Sequence, residues 1–311
     1  MTTPALRVAV LVPCYNEEAA VGTVVVDFRK ALPDATVYVY DNNSKDRTVE
    51  VAKAAGAEVR GERRQGKGHV VRRMFADVEA DIYVLVDGDA TYDAPSAPRM
   101  IDKLVNEHLD MVVGLRVDQS PAAYRMGHRT GNWMLTSFLS DTFGQTFTDI
   151  LSGYRVFSRR FVKSFPVLSD GFEIETELTV HSLELSLPVA EIETPYYARP
   201  EGSVSKLNTW RDGFRILGTI LKLYRSEKPL RFFTAIGIFL ALVSIGLSVP
   251  VVVTFVEEGV VPRLPTAVLS TGLMIVAMLA VSAGLVLDTV TRGRREMKLL
   301  AYLSQPAPRK D

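Results

Sequence analysis

The chain has 311 residues, more than one typical domain, and 47% of them are hydrophobic, enough to bury a sizeable core. Lysine plus arginine and aspartate plus glutamate stand at 36 each, a balance that argues against nucleic acid as a partner. A single cysteine, Cys14, excludes a disulfide framework, and with nothing nearby in sequence to lower its pKa it reads as a small apolar strand-end residue rather than a nucleophile.

The opening MTTPALRVAVLVPCYNEE has a short apolar run with no basic start, so no signal peptide is expected. RVAVLVP from Arg7 reads as a strand, Glu17 to Ala31 as an amphipathic helix, TVYVYD from Thr36 as a strand and Asp46 to Ala55 as a helix. A helix is expected to start near Lys67. It is followed by the strand IYVLVD from Ile82, a helix from Ala97 to Glu107 and the strand DMVVGLR from Asp110. This alternation predicts an α/β fold with a mostly parallel sheet covered by helices. The rhythm then changes to a long helical region from Ala122 to Phe143, a turn at Asp149 to Gly153 and a helix from Phe172 to Leu185.

Between Asn208 and Arg225, Trp210, Phe214, Leu217, Leu221 and Tyr224 form one stripe, with Arg211, Arg215 and Lys222 beside it. Such a helix lies in a membrane interface, or packs its stripe on the preceding domain. Phe232 to Val256 and Leu264 to Leu287 carry no charge, and each is long enough to cross a hydrocarbon core of about 30 Å. Two such runs in succession favour a membrane hairpin over buried core helices. Pro250 inside the first is tolerable there. Arg225, Lys228 and Arg231 precede the hairpin, and Arg292, Arg294, Arg295 and Lys298 follow it, whereas the link carries Glu257, Glu258 and Arg263. The positive-inside bias puts both ends in the cytoplasm. The polar residues after Ser304 are expected to be a disordered tail.

Ligands of parallel sheets bind beyond the carboxyl ends of the strands, and the polar clusters fall there: PCYNEE at Pro13 to Glu18, DNNSKD at Asp41 to Asp46, and DGD at Asp87 to Asp89. Asp87 and Asp89, two apart at a strand end, can project to the same side and clamp a hard cation, Mg²⁺ or Mn²⁺, against a nucleotide's phosphates. Asp41 can accept from a base or ribose, or close an Asx turn with its neighbours. Gly66-Lys67-Gly68 opens a helix, where backbone N–H groups and a lysine suit a phosphate. Each signal alone is weak, including the acidic helix start at Glu17 and Glu18.

In this order and spacing, the motifs resemble those of the family-two glycosyltransferases of the GT-A fold, among them the enzymes that glycosylate polyprenyl phosphates. The resemblance covers the chain through about Lys206 and the general layout of the tail. It implies that Pro13, Tyr15, Glu17, Asp41, Lys67 and Asp87 hold a nucleoside diphosphate sugar, and that Asp87 and Asp89 hold the metal. Relatives often carry a glutamine two residues after the second aspartate as a further ligand; Thr91 stands there in this sequence. TDILSGYR, with Asp149, Ser152, Gly153 and Arg155, resembles the family's acceptor-side segment, though relatives usually carry a glutamine and lysine pattern there.

A phosphorylated acceptor is suggested by Arg116, Arg125 and Arg129 and by Arg199, Ser203, Ser205 and Lys206 in RPEGSVSK, since guanidinium groups grip phosphate through paired donors. Asp87, Asp89, Arg116, Arg129 and Glu173 are the expected catalytic residues, with Glu175 a further carboxylate that could orient sugar hydroxyls or act as a base. The resemblance thus implies transfer of one hexose, from UDP-glucose or GDP-mannose, to polyprenyl phosphate at an inner-membrane surface. The expected parts are a cytoplasmic catalytic domain (1–206), an interfacial helix (207–230), a two-helix transmembrane hairpin (231–290) and a cytoplasmic tail (291–311). A homo-oligomer is left open. A processive polysaccharide synthase is disfavoured by the lack of a Q-x-x-R-W segment and by having only two spans, and a nucleotidyltransferase by the lack of a Gly-rich loop after the first strand. A non-catalytic nucleotide-sugar sensor is disfavoured by the intact DGD.

Overall fold

The computed structural model describes residues 6–118, 147–169, 171, 173–200, 218 and 221–307. It divides into two compact units, Met1–Ile216 with Met297–Asp311, and Leu217–Glu296. The expected helix from Ala122 to Phe143, most of the expected interfacial helix, and Arg125, Arg129, Ser203, Ser205 and Lys206 lie outside the described residues.

The first unit is an α/β layer structure. Strands β1 (Val8–Cys14), β2 (Thr36–Asp41), β3 (Glu58–Gly61), β4 (Ile82–Leu85), β5 (Met111–Asp118), β6 (Arg155–Ser158) and β7 (Val189–Tyr196) form one sheet. Its order is β3-β2-β1-β4-β6-β5-β7. β6 runs antiparallel to β4 and β5, and the other neighbours are parallel. Helices α1 (Val21–Ala31), α2 (Thr48–Ala54), α3 (Lys67–Asp77), α4 (Ala97–Asn106), α5 (Arg159–Ser164) and α6 (Ile174–Glu184) connect or cover the strands. The central strands are apolar along their length because both faces are covered: Val10, Leu11 and Val12 of β1 and every residue of β4 are buried. The chain steps outward from β1 to β3, then returns to place β4 on the other side of β1. That reversal opens a crevice beyond the ends of β1 and β4, where open α/β sheets bind ligands.

The first helix starts at Val21 rather than Glu17. Residues 16–18 turn their N–H groups to a neighbouring loop instead: Asn16 donates to Ser44 Oγ (2.8 Å), Glu17 to Thr48 Oγ1 (2.9 Å) and Glu18 to Asp46 Oδ2 (3.2 Å).

In the second unit, helix α7 (Pro229–Glu258) and most of helix α8 (Leu264–Leu303) form an antiparallel hairpin. Gly237, Ser244 and Val251 are the buried positions in the body of α7, and Ser270, Ala277 and Gly284 those of α8, so a seven-residue repeat of mostly small side chains makes the seam. A Cβ on Gly237 would sit 2.9 Å from the Ala277 carbonyl, and Ser244 Oγ donates to the Ser270 carbonyl (2.7 Å). The most apolar windows of the two helices are only 17% and 11% buried, unlike core helices, and both are candidate membrane spans by length and composition.

Candidate functional site

Three strand ends meet at the crevice. β1 delivers Pro13, Cys14 and Tyr15, β2 delivers Asp41 and Asn42, and β4 leads through Val86 into Asp87-Gly88-Asp89. The cavity there measures about 370 Å³ and its lining includes Pro13, Tyr15, Glu17, Lys67, Asp87, Asp89 and Arg199. A larger cleft of about 610 Å³, between α1 and residues 93–98, shares Asp87 with it but lacks the rest of this set.

The walls of the cavity are held by short polar side chains. Asn42 is buried; its amide donates to the carbonyls of Glu62 (3.0 Å) and Arg64 (2.7 Å), and its Oδ1 accepts from the Gly66 N–H (2.7 Å). It therefore fixes the loop leading into Lys67. Asn16 takes positive φ, as does Asn43, a conformation asparagine tolerates, and Asn16 Oδ1 accepts from the Lys45 N–H (2.8 Å). Asp41 braces its own loop, accepting from the Ser44 N–H three residues on at 3.2 Å. None of the stapling roles of Asn16, Asn42, Ser44 and Thr48 was visible from motif spacing. The only available signal was the density of turn-forming residues at two adjacent strand ends.

Gly88 sits directly on β1: a Cβ there would lie 2.5 Å from Cys14 Sγ. Gly153 packs on the Asp87 carboxylate, which leaves no room for a side chain, and donates its N–H to the Tyr92 hydroxyl (2.8 Å). Ala90 follows the DGD with φ of 57°, a left-handed conformation that costs a non-glycine residue of order 1–3 kcal/mol.

The ionisable groups form a nearly balanced cluster. Lys67, at the start of α3, donates to Asp87 Oδ1 (2.5 Å) and to Glu175 Oε1. Its side chain is 8% exposed and that of Glu175 7%. Burial opposes the charge on Lys67, but Asp87 and Glu175 outweigh it and raise the pKa. Burial pushes Glu175 up, with Asp87 adding to the shift and Lys67 opposing it. Asp89 is buried, its side chain 6% exposed. Oδ1 accepts from the Thr91 N–H (3.2 Å) and hydroxyl (2.6 Å), and Oδ2 meets Arg199 Nη2 at 2.6 Å. Burial and Asp87 raise its pKa, against Arg199 and Thr91. Thr91 thus orients Asp89.

Glu175, rather than Glu173, joins Lys67; Glu173 stands at the N-cap of α6 and is part-exposed. Arg116 grips Asp149 through two hydrogen bonds (2.6 and 2.8 Å) and lies over the Tyr196 ring at 5.6 Å, bracing β5 against the 147–153 segment. Arg155 is fully buried and donates to the carbonyls of Ile150 (2.5 Å) and Ser152 (3.0 Å) and to Thr179 Oγ1 (2.9 Å). Burial lowers its pKa to about 10. Both arginines shape the backbone that carries Gly153 to Asp87.

The sequence profile of Glycosyl transferase family 2 matches residues 9–165, from β1 through α5. Glycosyltransferase AglJ of Haloferax volcanii is 36% identical over 262 residues, 84% of this chain and 86% of that protein. The chain belongs to glycosyl transferase family 2. Dolichyl-phosphate hexose transferase of the same organism is 28% identical over 71% of this chain and 95% of that protein. An uncharacterized protein of Shigella flexneri, SF2094/S2216, is 56% identical over 50% of this chain and 96% of its own length. Among solved structures, glucosyl-3-phosphoglycerate synthase from Mycobacterium tuberculosis, crystallised with Mn²⁺, UDP and glucosyl-3-phosphoglycerate, superposes with a TM-score of 0.56 at 22% identity. It covers 70% of this chain and 80% of that one. The family-two glycosyltransferase has the GT-A fold, and the chain is a transferase.

Proposed function

We propose that this family-two glycosyltransferase moves a single hexose, with inversion, from a nucleoside diphosphate sugar to polyprenyl phosphate at the cytoplasmic face of a membrane. The observation that carries the reading is the pairing of the Asp87-Gly88-Asp89 strand end, in a cavity lined also by Lys67 and Arg199, with two long apolar helices on the same chain. A relative named for dolichyl-phosphate hexose transfer supports the acceptor class. The neighbour crystallised with Mn²⁺ and UDP supports the donor class.

Two hard carboxylates on either side of a glycine that admits no Cβ fit a hard divalent cation, so Asp87 and Asp89 would hold Mg²⁺ or Mn²⁺. Bound there, the metal would neutralise charge developing on the leaving diphosphate. Pro13, Tyr15, Glu17 and Asp41 hold the nucleoside, and Lys67 sits at the phosphates. Arg125, Arg129, Ser203, Ser205 and Lys206 receive the acceptor phosphate, and Arg199, at the head of that segment and in one cavity with Lys67, Asp87 and Asp89, serves both that phosphate and the donor's diphosphate. Arg116 positions this wall by holding Asp149. A phosphate monoester has a second pKa of about 6, so the acceptor already offers an anionic oxygen at neutral pH and no general base is required. Glu175, buried on Lys67, then serves to position that lysine. The protein's task is alignment of that oxygen with the anomeric carbon, together with exclusion of competing water.

The test is to incubate the purified full chain with polyprenyl phosphate, Mn²⁺ or Mg²⁺ and a panel of labelled donors, beginning with UDP-glucose and GDP-mannose, and to count label extracted into organic solvent. One metal-dependent labelled lipid is expected. Asp89→Asn should abolish it while leaving the melting transition in place. Full transfer by that variant would refute the metal assignment, and label remaining in water with every donor would refute the acceptor.

A further inference from the structure

Both carboxylates of the DGD have cationic partners within the protein: Lys67 at Asp87 and Arg199 at Asp89. The Asp89 side is the more restrictive. Oδ1 receives two donors from Thr91, filling its lone pairs, and Oδ2 receives the Arg199 guanidinium at 2.6 Å. The carboxylate is 6% exposed, so water has little access to the remaining lone pair on Oδ2. A divalent cation on Oδ2 would sit within a few ångströms of that guanidinium, in a buried setting where like charges are poorly screened. Arg199 has somewhere to go, because its own side chain is 31% exposed and lines the cavity.

Resting on the proposed function, we infer that Arg199 is an internal stand-in for the metal: it occupies Asp89 in the ligand-free protein, is displaced when the divalent cation arrives, and then turns its paired donors to phosphate. The exchange keeps the buried carboxylate compensated at every stage, whereas an empty Asp89 would be a buried, unpaired charge. It also links two binding events. Metal binding releases a phosphate ligand, so metal and nucleoside diphosphate each strengthen the other's binding beyond the direct metal–phosphate contact, and the coupling is reciprocal. Arg199 acts here as a positioning residue for the metal and a binding residue for phosphate.

The exchange predicts effects of opposite sign from one substitution. Mn²⁺ binding to the full-length, detergent-solubilised protein is measured by titration with and without UDP, for wild type, Arg199→Gln and Arg199→Lys. Without UDP, Arg199→Gln should bind Mn²⁺ roughly five- to ten-fold more tightly, the order expected when one charge-assisted competitor is removed. The factor by which Mn²⁺ tightens UDP should fall by a similar amount, with Arg199→Lys intermediate in both. A merely repulsive arginine would change UDP affinity equally with and without Mn²⁺ and leave that factor unchanged, which would overturn the inference. So would unchanged or weaker Mn²⁺ binding by a variant whose melting transition is intact; if Arg199→Gln fails to fold, Arg199→Lys carries the same comparison. Mn²⁺ binding by wild type that ignores both substitutions leaves the metal reading standing and removes the exchange alone. Absence of Mn²⁺ binding by wild type, with or without UDP, removes the metal reading and the exchange with it.

Discussion

Replacing Gly88 by alanine tests whether the Asp87-Gly88-Asp89 loop is positioned by its contact with the end of β1. The new methyl carbon would lie 2.5 Å from Cys14 Sγ and 3.4 Å from Val12 Cγ1. Ordinary non-bonded contact is about 3.5–4.0 Å, so the loop or the sulfur must yield by roughly 1 Å. Cys14 and Val12 are 2% and 0% exposed on a strand hydrogen-bonded on both sides, so the loop moves. Overpacking of this size costs about 1–3 kcal/mol. A 1 Å displacement of Asp87 and Asp89 should lower transfer by on the order of 100-fold. The assay is label transfer and thermal unfolding for Gly88→Ala, Cys14→Ala and the double variant. Cys14→Ala removes the atom the methyl meets, so the double variant should recover most of both losses, giving a favourable coupling energy in the cycle. A wild-type rate for Gly88→Ala, or a double variant no better than Gly88→Ala, would refute the packing argument.

Lys67→Met leaves Glu175, buried, without the cation it shares with Asp87, and should destabilise the catalytic unit by about 3–5 kcal/mol. Adding Glu175→Gln should restore most of the melting temperature but not transfer; equal stability of Lys67→Met and wild type would count against the ion cluster. His181 is buried against Phe161 and Phe165, and burial, with Lys298 nearby, lowers its pKa to about 3. The unfolded chain therefore takes up the proton first: the stabilising effect is complete above about pH 6.5 and declines as pH falls toward 3, by about 2 kcal/mol at pH 5. Chemical denaturation of wild type and His181→Phe across that window checks this, and an identical slope in both proteins would refute it.

The parallel sheet, the three polar strand ends and the two apolar helices were legible because each rests on local periodicity: apolar runs for buried strands, 3.6-residue stripes for α1 and α4, uncharged stretches for α7 and α8. β3, β6 and β7 were not. β3 is four residues of EVRG at a sheet edge, and β7 alternates weakly because its residues are mostly half-buried. β6 begins with Arg155, which the sequence places in a segment resembling an acceptor-side loop and which the structure buries on the carbonyls of Ile150 and Ser152 and the Thr179 hydroxyl. The carboxylates of the DGD were legible from strand-end chemistry, but their partners were not. Lys67 and Glu175 are 108 residues apart, and Arg199 and Asp89 110, so no sequence window contains either pair. That Glu175 rather than Glu173 joins Lys67 was not legible for a related reason. On a helix whose residues from Ile174 through Glu184 are nearly all buried, no polar face distinguishes one glutamate from the next.

Helix α6 explains why residues beyond the apolar hairpin belong with the catalytic unit. Its first turn places Glu175 on Lys67 in the cavity; its last residue, Glu184, accepts from Lys298 Nζ at 2.6 Å. Eleven residues, about 16 Å of helix, are thus tied by a lysine at each end. At its middle, Thr179 accepts from Arg155, which props the carbonyls leading to Gly153 and so to Asp87. Lys298 is one of the cations that sequence reading counts as a membrane flank, and its ion pair shows a second use for that charge. The neighbouring Tyr302 hydroxyl donates to Asp110 Oδ2 (2.9 Å), a fully buried carboxylate also held by Arg160 and Ser158. Arg159 donates to Gln305 Oε1 (3.2 Å), within the polar segment expected to be a disordered tail. A buried carboxylate that accepts four hydrogen bonds from three side chains, on β6, α5 and α8, is costly to leave half-satisfied. Docking of residues 297–305 therefore completes a polar network within the catalytic unit, and through α6 that network bears on the position of Glu175.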